Sequence, residues 1–225
     1  MTYNLDIRIY DDEIENYGTT TIISNEKKDY IIFDPSHGDR DFVQKLEKKY
    51  NKLKGIFLTH GHVDHIRGVK ILHERNKKPI IYCHPEEEVI LTCADYNLSS
   101  LTQPDDPIVI NQALEYLRDG AKIHIEGFPD IYVIYTPFHT VGSVCYYIPE
   151  MELLIAGDTL FNGGVGRSDL IKADPFMEDA SLYKLILLLE QKGDMKVITG
   201  HGPGTRLSYE INTQPIFKRV RELFK

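Results

Sequence analysis

A chain of 225 residues that is 42% hydrophobic, 10% aromatic and 27% charged has enough apolar mass for one substantial core. Its formal net charge of −8 argues against a surface built to track phosphates, so no nucleic-acid partner is expected. No uninterrupted apolar run is long enough to span a bilayer, which argues against a membrane partner as well.

Residues 1–13 are polar and acidic and lack the profile of a secretory leader, so a cytoplasmic protein is expected. The three cysteines, Cys83, Cys93 and Cys145, are odd in number and form no CxxC pair, which suits free thiols better than a disulfide framework. There is no internal repeat or linker, and one domain over residues 1–225 is expected.

In chain order, Leu5 to Ile9, Thr19 to Ile23 and Tyr30 to Phe33 read as strands rich in β-branched and aromatic residues. A turn at Asp34-Pro35-Ser36-His37-Gly38 leads into a helix from Asp39 to Tyr50, with Phe42, Val43 and Leu46 at helical spacing. A strand at 55–59 precedes a helix that starts near Asp64. Ile80 to Tyr82 reads as a strand and Pro85 to Ala94 as a helix, and polar residues 95–107 read as a loop. Further strands are expected near 108–110, 122–126, 131–136, 144–148 and 152–156. A strongly apolar helix at 176–190, a strand at 196–199 and a mostly helical end at 204–224 complete the chain. Two β-rich halves, each finished by helices, suggest an α/β protein with two sheets face to face and helices outside, a four-layer αββα sandwich.

Four of these apolar runs end directly on metal-type ligands. Residues 55–59 run into His60-Gly61-His62-Val63-Asp64-His65, 131–136 into Pro137-Phe138-His139, 152–156 into Gly157-Asp158, and 196–199 into Gly200-His201. In an extended segment His60 and His62 share a side, whereas on a helix they would diverge. Asp64 falls at a helix start, where the unpaired N–H groups favour an anion. The adjacent His65 projects differently, so one short loop can serve two ions. Of the other histidines, His37, His73 and His124 read as structural or surface residues. His84, just before Pro85, reads the same way or as a wall of the pocket. Cys145 lies six residues after His139 but is flanked by the strand residues Tyr146, Tyr147 and Ile148.

With these residues in place, the chain resembles the metallo-β-lactamase superfamily, whose signature is HxHxDH followed by separate His, Asp and His. Within it the chain is similar to the short glyoxalase II-like, or hydroxyacylglutathione hydrolase-like, branch. That likeness rests on Asp34-Pro35, TPFHTVGS at 136–143, GDTLFNGGVGR at 157–167 with Asp169, and GHGPGT at 200–205. The resemblance implies the αββα fold. It also implies two zinc ions, with iron or manganese as substitutes: His60, His62 and His139 on one, Asp64, His65 and His201 on the other, and Asp158 shared. Hydrolysis of a small acyl thioester by a metal-bridging hydroxide, oriented by Asp64 and Asp158, is the implied activity.

Thr59, Thr140 and Asp34 are candidates for fixing ligand tautomers, with Asp34 equally readable as a turn residue. Arg167 and Asp169 read as an ion pair or an anion contact, and Phe138 and Phe161 as acyl-pocket or core residues. His65, together with the lack of a cysteine in any ligand motif, argues against β-lactam hydrolysis as the main activity. The family's glutathione-contacting Lys and Tyr fall near Arg167 and Asp169, and its Tyr before the last ligand histidine falls at Ile198, so glutathione itself is not the expected thiol. The alternatives are a mononuclear iron persulfide dioxygenase using His60, His139 and Asp158, another hydrolase of this fold, and a non-catalytic binding protein.

Overall fold

Two six-stranded sheets pack face to face in the computed structural model, which describes residues 2–8 and 17–225. The first sheet runs in chain order: β1 (Asn4–Arg8), β2 (Thr20–Ser24), β3 (Tyr30–Phe33), β4 (Leu53–Phe57), β5 (Ile81–Cys83) and β6 (Leu114–Tyr116). Its first three strands are antiparallel and the rest join in parallel. Parallel joins need crossovers. These are supplied by α1 (Arg40–Lys49), by α2 (Val63–Ile66) with α3 (Val69–Arg75), and by α4 (Glu88–Leu91) with α5 (Ser99–Thr102).

The second sheet contains β7 (Lys122–Ile123), β8 (Ile131–Tyr135), β9 (Val144–Ile148) and β10 (Leu153–Gly157). A small hairpin, β11 (Leu160–Phe161) with β12 (Gly164–Val165), stands apart from it. After α6 (Glu178–Lys192), β13 (Lys196–Thr199) joins β10 in parallel and β14 (Thr205–Arg206) closes that edge, before α7 (Leu207–Thr213) and α8 (Pro215–Leu223).

The period-two alternation of strand side chains sorts the core into layers. Ile23, Ile31, Phe33 and Phe57 meet Val133, Val144, Tyr146, Ile155 and Ile198 between the sheets. There Phe33 stacks on Phe57 at 4.9 Å, and Tyr146 meets Phe57 edge-on at 5.6 Å. Ile22, Ile32 and Ile56 point the other way, onto Phe42, Val43 and Leu46 of α1 and Val69 and Leu72 of α3. On the far side Leu154, Ala156 and Val197 pack under α6, α7 and α8. The result is the expected αββα order. Helix α1 begins where Asp39 accepts a hydrogen bond from the Phe42 N–H at 2.8 Å, an N-cap that satisfies one orphan donor.

Several boundaries differ from expectation. Residues 108–110 form no strand: Ile110 is buried and its N–H goes to the Leu91 carbonyl at 2.8 Å, while the sheet continues instead at β6. The strand expected at 122–126 pairs only at Lys122–Ile123. The helix expected at 85–94 is a 3-10 turn, Pro85–Glu87, followed by α4, and the loop at 95–107 contains α5. The C-terminal stretch opens with β14 before turning helical. Ile9, expected at the end of the first strand, and most of the acidic stretch after it lie outside the described residues. Among the described residues no helix is long and apolar enough to cross a membrane.

Candidate metal centre

Four strand ends of the two sheets meet at one edge of the sandwich. Beyond β4 the chain passes through Leu58 and Thr59 into His60. The Thr59 carbonyl accepts from the Val144 N–H at 2.9 Å and the Leu58 carbonyl from the Tyr146 hydroxyl at 2.7 Å, so the two sheets are bonded together directly beneath the site. Strand β10 ends at Gly157, at φ +50, where a side chain would lie 2.3 Å from the Thr59 hydroxyl. Only glycine takes that conformation and that closeness without strain.

All seven residues singled out in the sequence converge. His60, His62 and His139 form one group, His60, His65 and Asp158 a second, and Asp64, His65 and His201 a third, with the ligand atoms of each within 4.8 Å of one another. Each group draws on both sheets. His62 Nδ1 faces His139 Nε2 at 3.0 Å, and His201 Nε2 lies 3.0 Å from an Asp64 oxygen. Asp158 sits among His139, His65 and His201 at 3.3, 3.4 and 3.6 Å. Donors at about 2.0–2.1 Å around a tetrahedral ion stand about 3.3 Å apart, so these spacings suit a cation between them.

A second observation supports the fit. His60 Nε2 and Asp158 Oδ1 are buried with no hydrogen-bond partner, a costly arrangement for groups without a cation to face. Imidazole and carboxylate donors suit zinc, iron and manganese alike.

The charges point the same way. Burial, helped by nearby His65, holds His60 well below the usual imidazole range, and burial with His139 pushes His62 down to about 3, so both are neutral. For Asp64 burial acts upward, but His65 and His201 outweigh it and keep the carboxylate ionised. Asp158 is held lower still against burial by His65 and His201. In turn burial would lower His65, but Asp158 and Asp64 raise it. His201 is raised to about 9 by hydrogen bonds to Asp158 and Asp64 that overcome its burial. Two carboxylates thus hold positive charge here, as a cation site must.

The supporting residues sort themselves clearly. Asp34, itself at φ +46, accepts from the Thr59 N–H at 2.8 Å and the Thr59 hydroxyl at 2.6 Å, and lies 3.0 Å from His65 Nδ1. It therefore orients a ligand as well as shaping its turn. The Thr59 hydroxyl also lies 3.2 Å from His60 Nδ1. His139 Nδ1 donates to the Arg167 main-chain carbonyl at 2.8 Å, a contact that sequence reading missed because it involves no side chain of Arg167. The Arg167 side chain forms an exposed ion pair with Asp169.

Thr140 touches no ligand side chain, and bonds Glu87 and Ser143 instead. Phe138 is fully buried in the outer core, so it does not line a pocket, whereas the Phe161 ring lies 6.1 Å from His201. Cys145 is buried against the Ala156 carbonyl, its thiol pushed up to about 11 by burial. His84 is buried and stacks on Tyr135, and His37 is buried and stacks on Tyr17. The open side of the centre is at Asp64 and His201, whose side chains are 23% and 36% exposed while His65 is fully enclosed.

A sandwich of this kind, with imidazole and carboxylate donors gathered at one edge, defines a class of metal-binding α/β proteins. Residues 15–201 match the family model described as the metallo-beta-lactamase superfamily, and the chain belongs to that superfamily. It is 32% identical to the probable metallo-hydrolase YqgX of Bacillus subtilis, over 82% of this chain and 85% of that one. It is 25% identical to the hydroxyacylglutathione hydrolase GloC of Haemophilus influenzae, over 87% of this chain and 90% of that one. Among solved structures, the BLEG-1 B3 metallo-beta-lactamase superposes with a TM-score of 0.82 at 29% identity, covering 95% of this chain and 99% of that one. TTHA1623 in a di-iron-bound form gives 0.72 at 28% identity, covering 88% and 94%. The chain is a metal-dependent hydrolase of this superfamily.

Proposed function

We propose that the chain hydrolyses small acyl thioesters in the cytoplasm, in the manner of glyoxalase II-like enzymes, with two zinc ions that iron or manganese can replace. The observation that carries this is the convergence of His60, His62, Asp64, His65, His139, Asp158 and His201 into three overlapping groups. When bound, the ions would supply an acidified water as nucleophile and Lewis acidity toward the thioester carbonyl.

The protein's own part is positional. His60, His62 and His139 would hold one ion, Asp64, His65 and His201 the other, and Asp158 lies where a shared ligand is needed. Asp64 and Asp158, kept ionised by their histidine neighbours, accept the nucleophile's hydrogen bonds and aim it. Asp34 and the Arg167 carbonyl keep the protons of His65 and His139 on Nδ1, away from the centre. Substrate enters on the open side at Asp64 and His201, and Phe161 offers an apolar wall there. A small-molecule substrate is the partner this reading requires, and the formal net charge of −8 disfavours nucleic acid.

Similarity to GloC supports thioester chemistry, and similarity to BLEG-1 makes β-lactam hydrolysis the second reading. The test is the metal content of protein purified without added metal, with a panel of thioesters including S-lactoylglutathione and a set of β-lactams. Two zinc ions per chain, and thioester turnover lost in His60→Ala, are expected. One iron per chain, with oxygen uptake on glutathione persulfide and no thioester turnover, would replace this reading by a dioxygenase. Failure to bind any transition metal would leave a binding protein on an enzyme fold.

A further inference from the structure

Three consecutive glutamates, Glu86, Glu87 and Glu88, follow His84-Pro85, and the middle one is fully buried. Its placement is built by the 3-10 turn at Pro85–Glu87. The His84 carbonyl accepts from the Glu87 N–H at 3.0 Å and His84 Nδ1 from the Glu86 N–H at 3.3 Å. The His84 ring in turn stacks on Tyr135 with centroids 4.0 Å apart, and the Tyr135 hydroxyl donates to the Val141 carbonyl at 2.7 Å.

The Glu87 carboxylate reaches both loops that carry the His62–His139 pair. One oxygen accepts from the Gly142 N–H at 2.9 Å and from the Thr140 hydroxyl, directly after His139. The other faces Gly61, between His60 and His62, so closely that a side chain on Gly61 would lie 2.8 Å from it. A side chain on Gly142 would lie 2.6 Å from the Glu87 nitrogen. The two glycines therefore admit this carboxylate, one from each loop. The loops spring from different sheets, which the bond from the Val144 N–H to the Thr59 carbonyl joins beneath the site, and Glu87 adds a second tie beside the histidines themselves.

We infer that Glu87 is a positioning residue of the metal centre, clasping the His60–His62 loop to the His139–Gly142 loop and so fixing how closely His62 and His139 approach. This rests on the reading that those two histidines hold an ion. Burial raises the Glu87 carboxyl to about 7, even though hydrogen bonds from Thr140 and Gly142 to one oxygen act the other way, and the oxygen facing Gly61 has no hydrogen-bond partner. Such a group is costly to bury, and an ordinary surface turn gives no return for that cost.

The test is zinc binding by chelator competition on the wild-type protein, Glu87→Ala, Glu87→Gln, Thr140→Val and the core control Leu185→Ala. Glu87→Ala is expected to weaken one of the two ions by about 10–100-fold while the other is held as before. Glu87→Gln keeps an acceptor oxygen for Thr140 and Gly142 and is expected to recover most of that loss. Thr140→Val removes one of the same bonds, so it provides the test if Glu87→Ala fails to fold, and a smaller loss at the same ion is expected. Wild-type affinity for both ions in Glu87→Ala and Thr140→Val would overturn the inference. So would a glutamine variant as weak as alanine, or an equal loss in Leu185→Ala. Absence of zinc binding by the wild-type protein would instead strike at the metal-centre reading itself.

Discussion

Replacing Asp34 by asparagine turns the acceptor shared by His65 and the Thr59 hydroxyl into a donor, and the His65 half of that change leads to the metal centre. Asparagine tolerates the left-handed backbone at φ +46 about as well as aspartate, so the turn survives. One oxygen remains for the Thr59 N–H at 2.8 Å. The other, 3.0 Å from His65 Nδ1, becomes an NH₂ group that donates where it formerly accepted. His65 then avoids a donor-to-donor clash only by moving its proton to Nε2, the nitrogen that faces Asp64, Asp158 and His201. A protonated Nε2 cannot ligate.

Disturbing a ligand's hydrogen-bond partner costs metal affinity about 10–100-fold, which is about 1.4–2.8 kcal/mol. That range matches the roughly 1.5–3 kcal/mol expected for a hydrogen bond to a charged group. Zinc competition at neutral pH reads the affinity, and nitrogen NMR of the imidazoles reads the tautomer. Wild-type affinity in Asp34→Asn, or a His65 whose Nε2 stays bare, would refute the reasoning.

Four further outcomes follow. His60→Ala should lose thioester turnover and at least one ion, measured by elemental analysis. Arg167→Ala should bind zinc as the wild type does, because His139 uses the main-chain carbonyl. Loss of the exposed Arg167–Asp169 pair should leave the midpoint of urea unfolding where it is in the wild type, because solvent screens the two charges. Phe138→Ala should cost about 3–5 kcal/mol of stability, since the ring is buried in the outer core, and a KM effect without that loss would contradict its placement.

Glu87 gives a pH signature in chelated protein. Its folded-state pKa is raised from 4.5 to about 7, so between those values the native state holds a proton that the unfolded chain has lost. Stability from this group is complete below about pH 4.5 and falls by about 3 kcal/mol as pH rises to about 7. Glu87→Gln should remove that slope, and an unchanged slope in the variant would refute the assignment.

The seven residues of the centre stand out in the sequence for a physical reason. A strand that ends on His or Asp offers a fixed donor at a sheet edge, and the pattern occurs four times. Glu87 does not stand out, because Glu86-Glu87-Glu88 looks like a solvated helix start. Which of the three is buried depends on the contacts of Glu87 with Gly61 and Gly142, residues far from it in the chain, and no local pattern reveals that. Ile108-Val109-Ile110 is more strand-like in composition than Leu114-Glu115-Tyr116, yet the latter pairs with β5. Ile110 is buried with its N–H bonded to Leu91, so apolarity there reflects burial and not pairing. Two-residue strands such as β7 and β14 leave too little periodicity to read. The role of Arg167 is carried by its peptide group, which any residue would supply.

Each cluster of donors takes members from opposite halves of the sandwich, and this has a bearing on durability. A bound cation acts as a suture through both layers, so separating them requires releasing it. Resistance to denaturation should therefore climb with free ion concentration by mass action, rising about 1.4 kcal/mol for every tenfold excess over the dissociation constant. Metal supply would then govern how long the folded protein lasts as well as how fast it works.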